Sequence, residues 1–315
     1  MADFYQALIT VFFWIILGVL FGKNHKKNLV AVKEILATPI LLIALPVALL
    51  LSTFSVVSEN AREGLSLLAW GAGIGVIATV IPIVLITLFF YKTATKTSTR
   101  IYKFSLTFTS IQFLGFPLVS SVFENDGMAV YTGFTVMWMV FLLTYGMKLK
   151  PKENTTYKRG GMMSVAIAVW VLTTIVAFMP ETNISAVDIT RSGLLGGLGG
   201  LAFIATPLSL IYIGMLLSGS GKLREMWSRN IAIVCMIRLI VIPVTAWGIM
   251  ILAGVPSVVT GVMVLLLALP VSSVLGLWFD TKKTNEKNES GEIVTLSTVL
   301  AMITVPLLVA ILSLF

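Results

Sequence analysis

Among the charged side chains of this 315-residue chain, only Arg238 falls well inside an apolar run, the stretch from Ile231 to Ala253. A helix starting at Ile231 and rising about 1.5 Å per residue places Arg238 roughly 10 Å from its nearer end. At the centre of a membrane-spanning helix an arginine costs about 2.5–3.5 kcal/mol on insertion scales, so one that is kept faces a cavity or a partner. All 14 acidic residues lie in polar segments or at the ends of apolar ones, which leaves no protein carboxylate at that depth. A guanidinium is a planar fork of donors that matches a carboxylate bidentately, and an organic anion is therefore the natural counter-ion. The competing use of the side chain is to snorkel to lipid headgroups or to bond carbonyls freed by Pro243.

Two interrupted apolar runs supply further polar groups. From Ser110 to Phe123 the chain reads S-I-Q-F-L-G-F-P-L-V-S-S-V-F, and Gly115 with Pro117 predicts a break in a membrane helix. Leu269 to Val274, L-P-V-S-S-V, repeats the proline and the serine pair. Backbone freed at membrane depth is tolerated only where it is buried in protein or lines a wet cavity, so paired breaks mark a binding site. Half-helices starting after Pro117 and Pro270 would aim amides and positive dipole ends at an anion. Ser110, Gln112, Ser120, Ser121, Ser272 and Ser273 would add hydrogen bonds, although serines in such helices more often bond their own backbone. The candidate substrate-binding set is thus Arg238, Ser110, Gln112, Gly115, Pro117, Ser120, Ser121, Pro270, Ser272 and Ser273.

The elements that must position these residues follow from composition. With 57% hydrophobic and 11% charged residues and a mean hydropathy of +1.00, the chain is expected to be an all-α integral membrane protein. Ten apolar spans of bilayer length can be marked: 4–22, 35–54, 65–91, 104–123, 128–147, 162–179, 194–217, 231–253, 258–278 and 293–315. The odd-numbered loops between them are basic, the third holding Lys92, Lys96, Arg100 and Lys103, whereas the even loops hold only Arg62 and Arg191. By the positive-inside rule the odd loops are cytoplasmic and both termini lie outside the cytoplasm. The first span has no basic residues before it and no small-residue cleavage site, so it is expected to be a retained helix.

Paired runs divide the chain in two. Ala37-Thr38-Pro39 matches Ala205-Thr206-Pro207, and Val80-Ile81-Pro82 matches Val241-Ile242-Pro243, in the same order as the two proline breaks. The expected organisation is a five-helix repeat over 1–149, a cytoplasmic linker at 150–161 and a second five-helix repeat over 162–315. An odd helix number inverts the second repeat relative to the first, with broken helices four and nine crossing. Gly71 and Gly75, and the glycines at 193–200, permit close helix contacts within the chain or at a homodimer seam.

Other classes fare poorly. No H-E-x-x-H, G-x-S-x-G or intramembrane aspartate pair is present, so an enzyme is not expected. His25 and Cys235 are each the only residue of their type, which gives no basis for a metal site, a disulfide or a cofactor. The net charge of +8 comes from short loop runs suited to anionic lipid rather than nucleic acid.

Three runs, Gln112 to Leu118, Thr206 to Gly214 and Leu296 to Pro306, resemble the auxin efflux carrier family, the group that includes plant PIN carriers and bacterial malate or malonate permeases. The resemblance implies a ten-helix inverted-repeat fold of the kind shared with bile acid/sodium symporters, a crossover of helices four and nine, and organic-anion transport. Family members often carry asparagines where this chain has Ser110 and Ser273-Val274. The expectation is a permease of the cell membrane that moves a small mono- or dicarboxylate, malate-, malonate- or auxin-like, by alternating access. An anion channel and a proton- or sodium-coupled symporter are the alternatives; the lack of an acidic residue within the spans favours uniport or exchange.

Overall fold

The computed structural model describes residues 2–24, 61–89, 97–150, 204, 207–215, 217–218, 227–279 and 289–312, and every regular element among them is helical. The expected spans 35–54 and 162–179 and most of the linker 150–161 lie outside the described residues. The helices are α1 (Ala2–Asn24), α2 (Ala61–Phe89), α3 (Thr97–Thr107), α4 (Phe116–Val122), α5 (Glu124–Phe141), α6 (Met147–Leu149), α7 (Arg229–Met236), α8 (Ile242–Leu252), α9 (Ser257–Ala268), α10 (Val274–Phe279) and α11 (Glu289–Leu312). Wide π-helical turns join α4 to the stretch before it (Ile111–Gly115), α5 to α6 (Leu142–Gly146) and α7 to α8 (Ile237–Val241). Among the described residues four helical stretches are long and apolar enough to cross a bilayer: Glu63–Leu88, Asp126–Leu149, Arg229–Leu252 and Glu289–Ile311. All four coincide with expected spans, in keeping with an integral membrane protein.

Packing divides the chain into two compact units that interleave along the sequence: Met1–Gly73, Gln112–Val136 and Tyr157–Gly219 form one, and Ile74–Ile111, Met137–Thr156 and Ser220–Phe315 the other. Each unit draws on both sequence halves, so compact packing does not follow the division at 150–161.

In the first unit helices meet backbone to backbone. A Cβ placed on Gly18 of α1 would lie 2.2 Å from the Ile211 carbonyl oxygen, and one on Gly214 would lie 2.1 Å from that of Ile15. A Cβ on Gly71 would likewise lie 2.1 Å from the Val130 carbonyl oxygen, and one on Gly133 2.1 Å from that of Leu68. Only glycine permits such approaches, and small residues drive helix association where lipid removes the hydrophobic advantage. Gly71, marked from its spacing to Gly75, is thus used within the chain.

Side chains fill the second unit instead. Phe104 and Phe108 are fully buried with centroids 4.8 Å apart; Phe104 meets Trp278 edge-on at 5.7 Å and Phe108 meets Trp138 at 5.7 Å. Each such pair contributes about 0.5–1.5 kcal/mol beyond area burial. The cluster ties α3 and the residues after it to α5 and α10.

Candidate functional site

The expected break at Pro270 exists, and within the second unit it is joined to an interruption at 108–110. Helix α9 ends at Ala268, and Leu269 is extended (φ −65°, ψ 152°), the conformation favoured before proline. Helix α3 ends at Thr107, and Thr109 forms an antiparallel bridge with Val271. The Ser110 amide donates to the Pro270 carbonyl at 2.8 Å and the Ser272 amide to the Phe108 carbonyl at 3.1 Å. Two interrupted helices thus complete each other's backbone, which answers the need to pair every buried amide and carbonyl. Hydroxyls do the rest. Thr109 Oγ1 lies 3.1–3.3 Å from the carbonyls of Leu266, Leu269 and Pro270. Ser297 Oγ accepts from the Val271 amide at 3.3 Å, and Ser272 Oγ from the Val274 amide at 3.4 Å.

Two expectations are corrected here. The first break falls at 108–110, not at Gly115 and Pro117: Gly115 is right-handed helical (φ −65°, ψ −48°), and Pro117 stands in the first turn of α4. Proline cannot donate to the carbonyl four residues back, and a π turn immediately before it absorbs the lost bond without interrupting the helix. The same device precedes Pro243, where the turn Ile237–Val241 leads into α8. The second correction concerns the amides at the break. Those of Ser110, Ser272 and Leu275 are taken by backbone carbonyls, and those of Val271 and Val274 by serine hydroxyls. At these five positions no amide is left for an anion, so attraction there rests on side chains.

The predicted residues separate accordingly. Arg238, Ser110, Pro270, Ser272 and Ser273 belong to the second unit and are buried in it. Gln112, Gly115, Pro117, Ser120 and Ser121 belong to the first. Ser120 and Ser121 bond the Pro117 carbonyl of their own helix, at 3.2 and 2.7 Å. That is the usual role of a helical serine. Gln112 lies in the π turn, and its side chain is outside the described residues.

Arg238 is 1% exposed and lies in the π turn Ile237–Val241, which packs against α3, α9 and α11. Its Nη1 donates to the Leu106 carbonyl at 3.3 Å, in the last turn of α3 before the break. Nε and Nη2 are buried with no hydrogen-bond partner. Those two nitrogens carry the parallel N–H bonds of one edge of the guanidinium, the edge that grips a carboxylate through both oxygens. The Leu106 tether fixes the plane of the group while this edge stays free. Ser273 Oγ, just after the second break, is likewise buried without a partner.

A residue absent from the predicted set also stands out. Lys103, assigned above to a cytoplasmic loop, is in α3 and only 6% exposed. Thr99, Lys103 and Thr107 recur every four residues and all three are buried, a polar stripe on one face of α3 leading to the break. That spacing was the available signal, hidden by the position of Lys103 just before the apolar run at Phe104. At the polar end of the same helix Tyr102 donates a hydrogen bond to Glu289 at the start of α11. Burial, reinforced by the Glu289 carboxylate, pushes the Tyr102 phenol up to about 12.

Paired broken helices around a buried cation define the class, a membrane-embedded helical protein with a polar centre. Residues 184–309 match the family model described as membrane transport protein, the domain of the auxin efflux carrier family. The matched region contains Arg238, Pro270, Ser272 and Ser273. It is a family of membrane transporters, not of enzymes. No curated protein matches the chain.

Proposed function

We propose that the protein is a secondary transporter of a small carboxylate and that Arg238 holds the carboxylate. The observation that carries this is the free Nε and Nη2 edge of a fully buried guanidinium, fixed through Nη1 beside the joined breaks. Breaking a buried ion pair by removing one partner costs about 3–5 kcal/mol, because the remaining charge is left uncompensated. An anionic substrate supplies the missing partner each time it binds. The matching runs of the two sequence halves support an inverted-repeat fold of ten helices, in which alternating access is movement of one bundle against another around the broken helices. With no acidic residue inside the expected spans, uniport or exchange at the cell membrane needs no further group.

The test is counterflow of labelled malate into proteoliposomes preloaded with unlabelled malate. Arg238→Ala is expected to lower exchange about 100-fold, as truncating one member of a buried charge pair costs about 2–5 kcal/mol. Arg238→Lys, which keeps the charge and loses the fork, is expected to recover little of it. Exchange that is unchanged in both variants overturns the role of Arg238.

A further inference from the structure

We propose that Lys103 is a second anion-binding group of the same site, reading a second acidic group on the transported molecule; this rests on the assignment of Arg238 to a carboxylate. Lys103 lies three residues before Leu106, whose carbonyl holds the Arg238 guanidinium. Three residues along a helix is about 4.5 Å, well within the reach of a lysine side chain. Both residues belong to the second unit and both are buried. Neither makes an ion pair among the described residues, and the nearby Glu289 accepts from Tyr102. Lys103 contributes three N–H donors and the free edge of Arg238 two, with no acceptor of their own. Lys103 keeps only 6% of its surface exposed, and a site made only of donors with two positive charges is complementary to a molecule with two acidic groups. The stripe of Thr99, Lys103 and Thr107 carries this polar lining along α3 towards the joined breaks. In this arrangement Arg238 grips one carboxylate through its fork, and Lys103, a point charge on a flexible stem, meets the other end.

The experiment compares exchange of labelled malate with that of labelled lactate, which differs by lacking the second carboxylate, in the intact protein, Lys103→Met, Lys103→Arg and Arg238→Ala. The intact protein is expected to favour malate. Lys103→Met is expected to lower malate exchange at least tenfold and to leave lactate exchange within about twofold, while Lys103→Arg retains part of the preference. Thermal unfolding gives a readout independent of transport. In Lys103→Met the rise in midpoint caused by malate is expected to shrink. Equal losses for both acids, an unchanged malate preference in Lys103→Met, or an intact protein that favours lactate overturn the role of Lys103 alone. An intact protein that exchanges neither acid, or normal exchange of both by Arg238→Ala, overturns the underlying assignment of Arg238.

Discussion

The two compact units solve the same problem, holding helices together in lipid, by opposite means. The first removes side chains: at Gly18, Gly71, Gly133 and Gly214 the helices approach until backbone touches backbone. The second adds polar and aromatic side chains around an interrupted backbone, with Thr109 and Ser297 completing the break and Phe104 and Phe108 packed beside it. Close glycine contacts leave no room for a ligand and tolerate little movement. A break held by hydroxyls keeps polar groups at depth, and the free edge of Arg238 and the hydroxyl of Ser273 are left over in that unit. Disturbing the first unit should therefore cost folding, whereas disturbing the second should cost function or modest stability.

The largest effect expected from this contrast is at Gly214. In Gly214→Val the new Cβ would fall 2.1 Å from the Ile15 carbonyl oxygen and 2.8 Å from Gly18 Cα, both backbone atoms that cannot rotate away. Overpacking of this kind costs about 3 kcal/mol or more. The variant is expected to lose its monodisperse peak on size exclusion in detergent. Gly248→Ala in the second unit, where a Cβ meets nothing within 4 Å, is the control. It is expected to gain up to about 1 kcal/mol from helix propensity. Equal behaviour of the two glycines would break the comparison.

A smaller effect is expected at the hydroxyls of the break. Ser297→Ala leaves the buried Val271 amide without its acceptor, at a cost of about 1–3 kcal/mol. Thermal unfolding should show a lowered midpoint for the folded protein. Thr10→Ala in the first unit, an exposed residue whose hydroxyl donates to the Gln6 carbonyl of its own helix, should change stability by no more than about 0.5 kcal/mol.

These contrasts also show what was legible in the sequence. Four of the spans were, because bilayer thickness fixes their length and composition reveals it. The break before Pro270 was, because the residue ahead of a proline is pushed towards extended conformation whatever surrounds it. The first break was misplaced by several residues because Pro117 can be absorbed by a π turn. Where the chain opens was set by a partner segment about 160 positions away, through the bridge between Thr109 and Val271. Depth alone singled out Arg238, whereas its tether to Leu106 and its free edge needed the tertiary structure. Lys103 was lost to a rule that treats charges near a span as loop charges, although its four-residue spacing from Thr99 and Thr107 was in plain view.

The smallest effect separates the serines that the sequence grouped together. Ser121 follows the first proline as Ser273 follows the second, and the runs around them are nearly the same. In the first unit Ser121 Oγ already donates to the Pro117 carbonyl at 2.7 Å, so a ligand would have to displace that bond. In the second, Ser273 Oγ is buried with nothing to bond, so a carboxylate gripped by Arg238 that reaches it gains a hydrogen bond outright. A bond of this kind is worth about 0.5–1.5 kcal/mol, which corresponds to roughly 2- to 12-fold in affinity. Ser273→Ala is therefore expected to raise the apparent KM for malate exchange by such a factor with maximal exchange little changed, while Ser121→Ala leaves KM within about twofold. Equal responses would show that matching sequence, rather than hydrogen-bond state, decides which serines touch the substrate, and the division of labour between the units would fail with it.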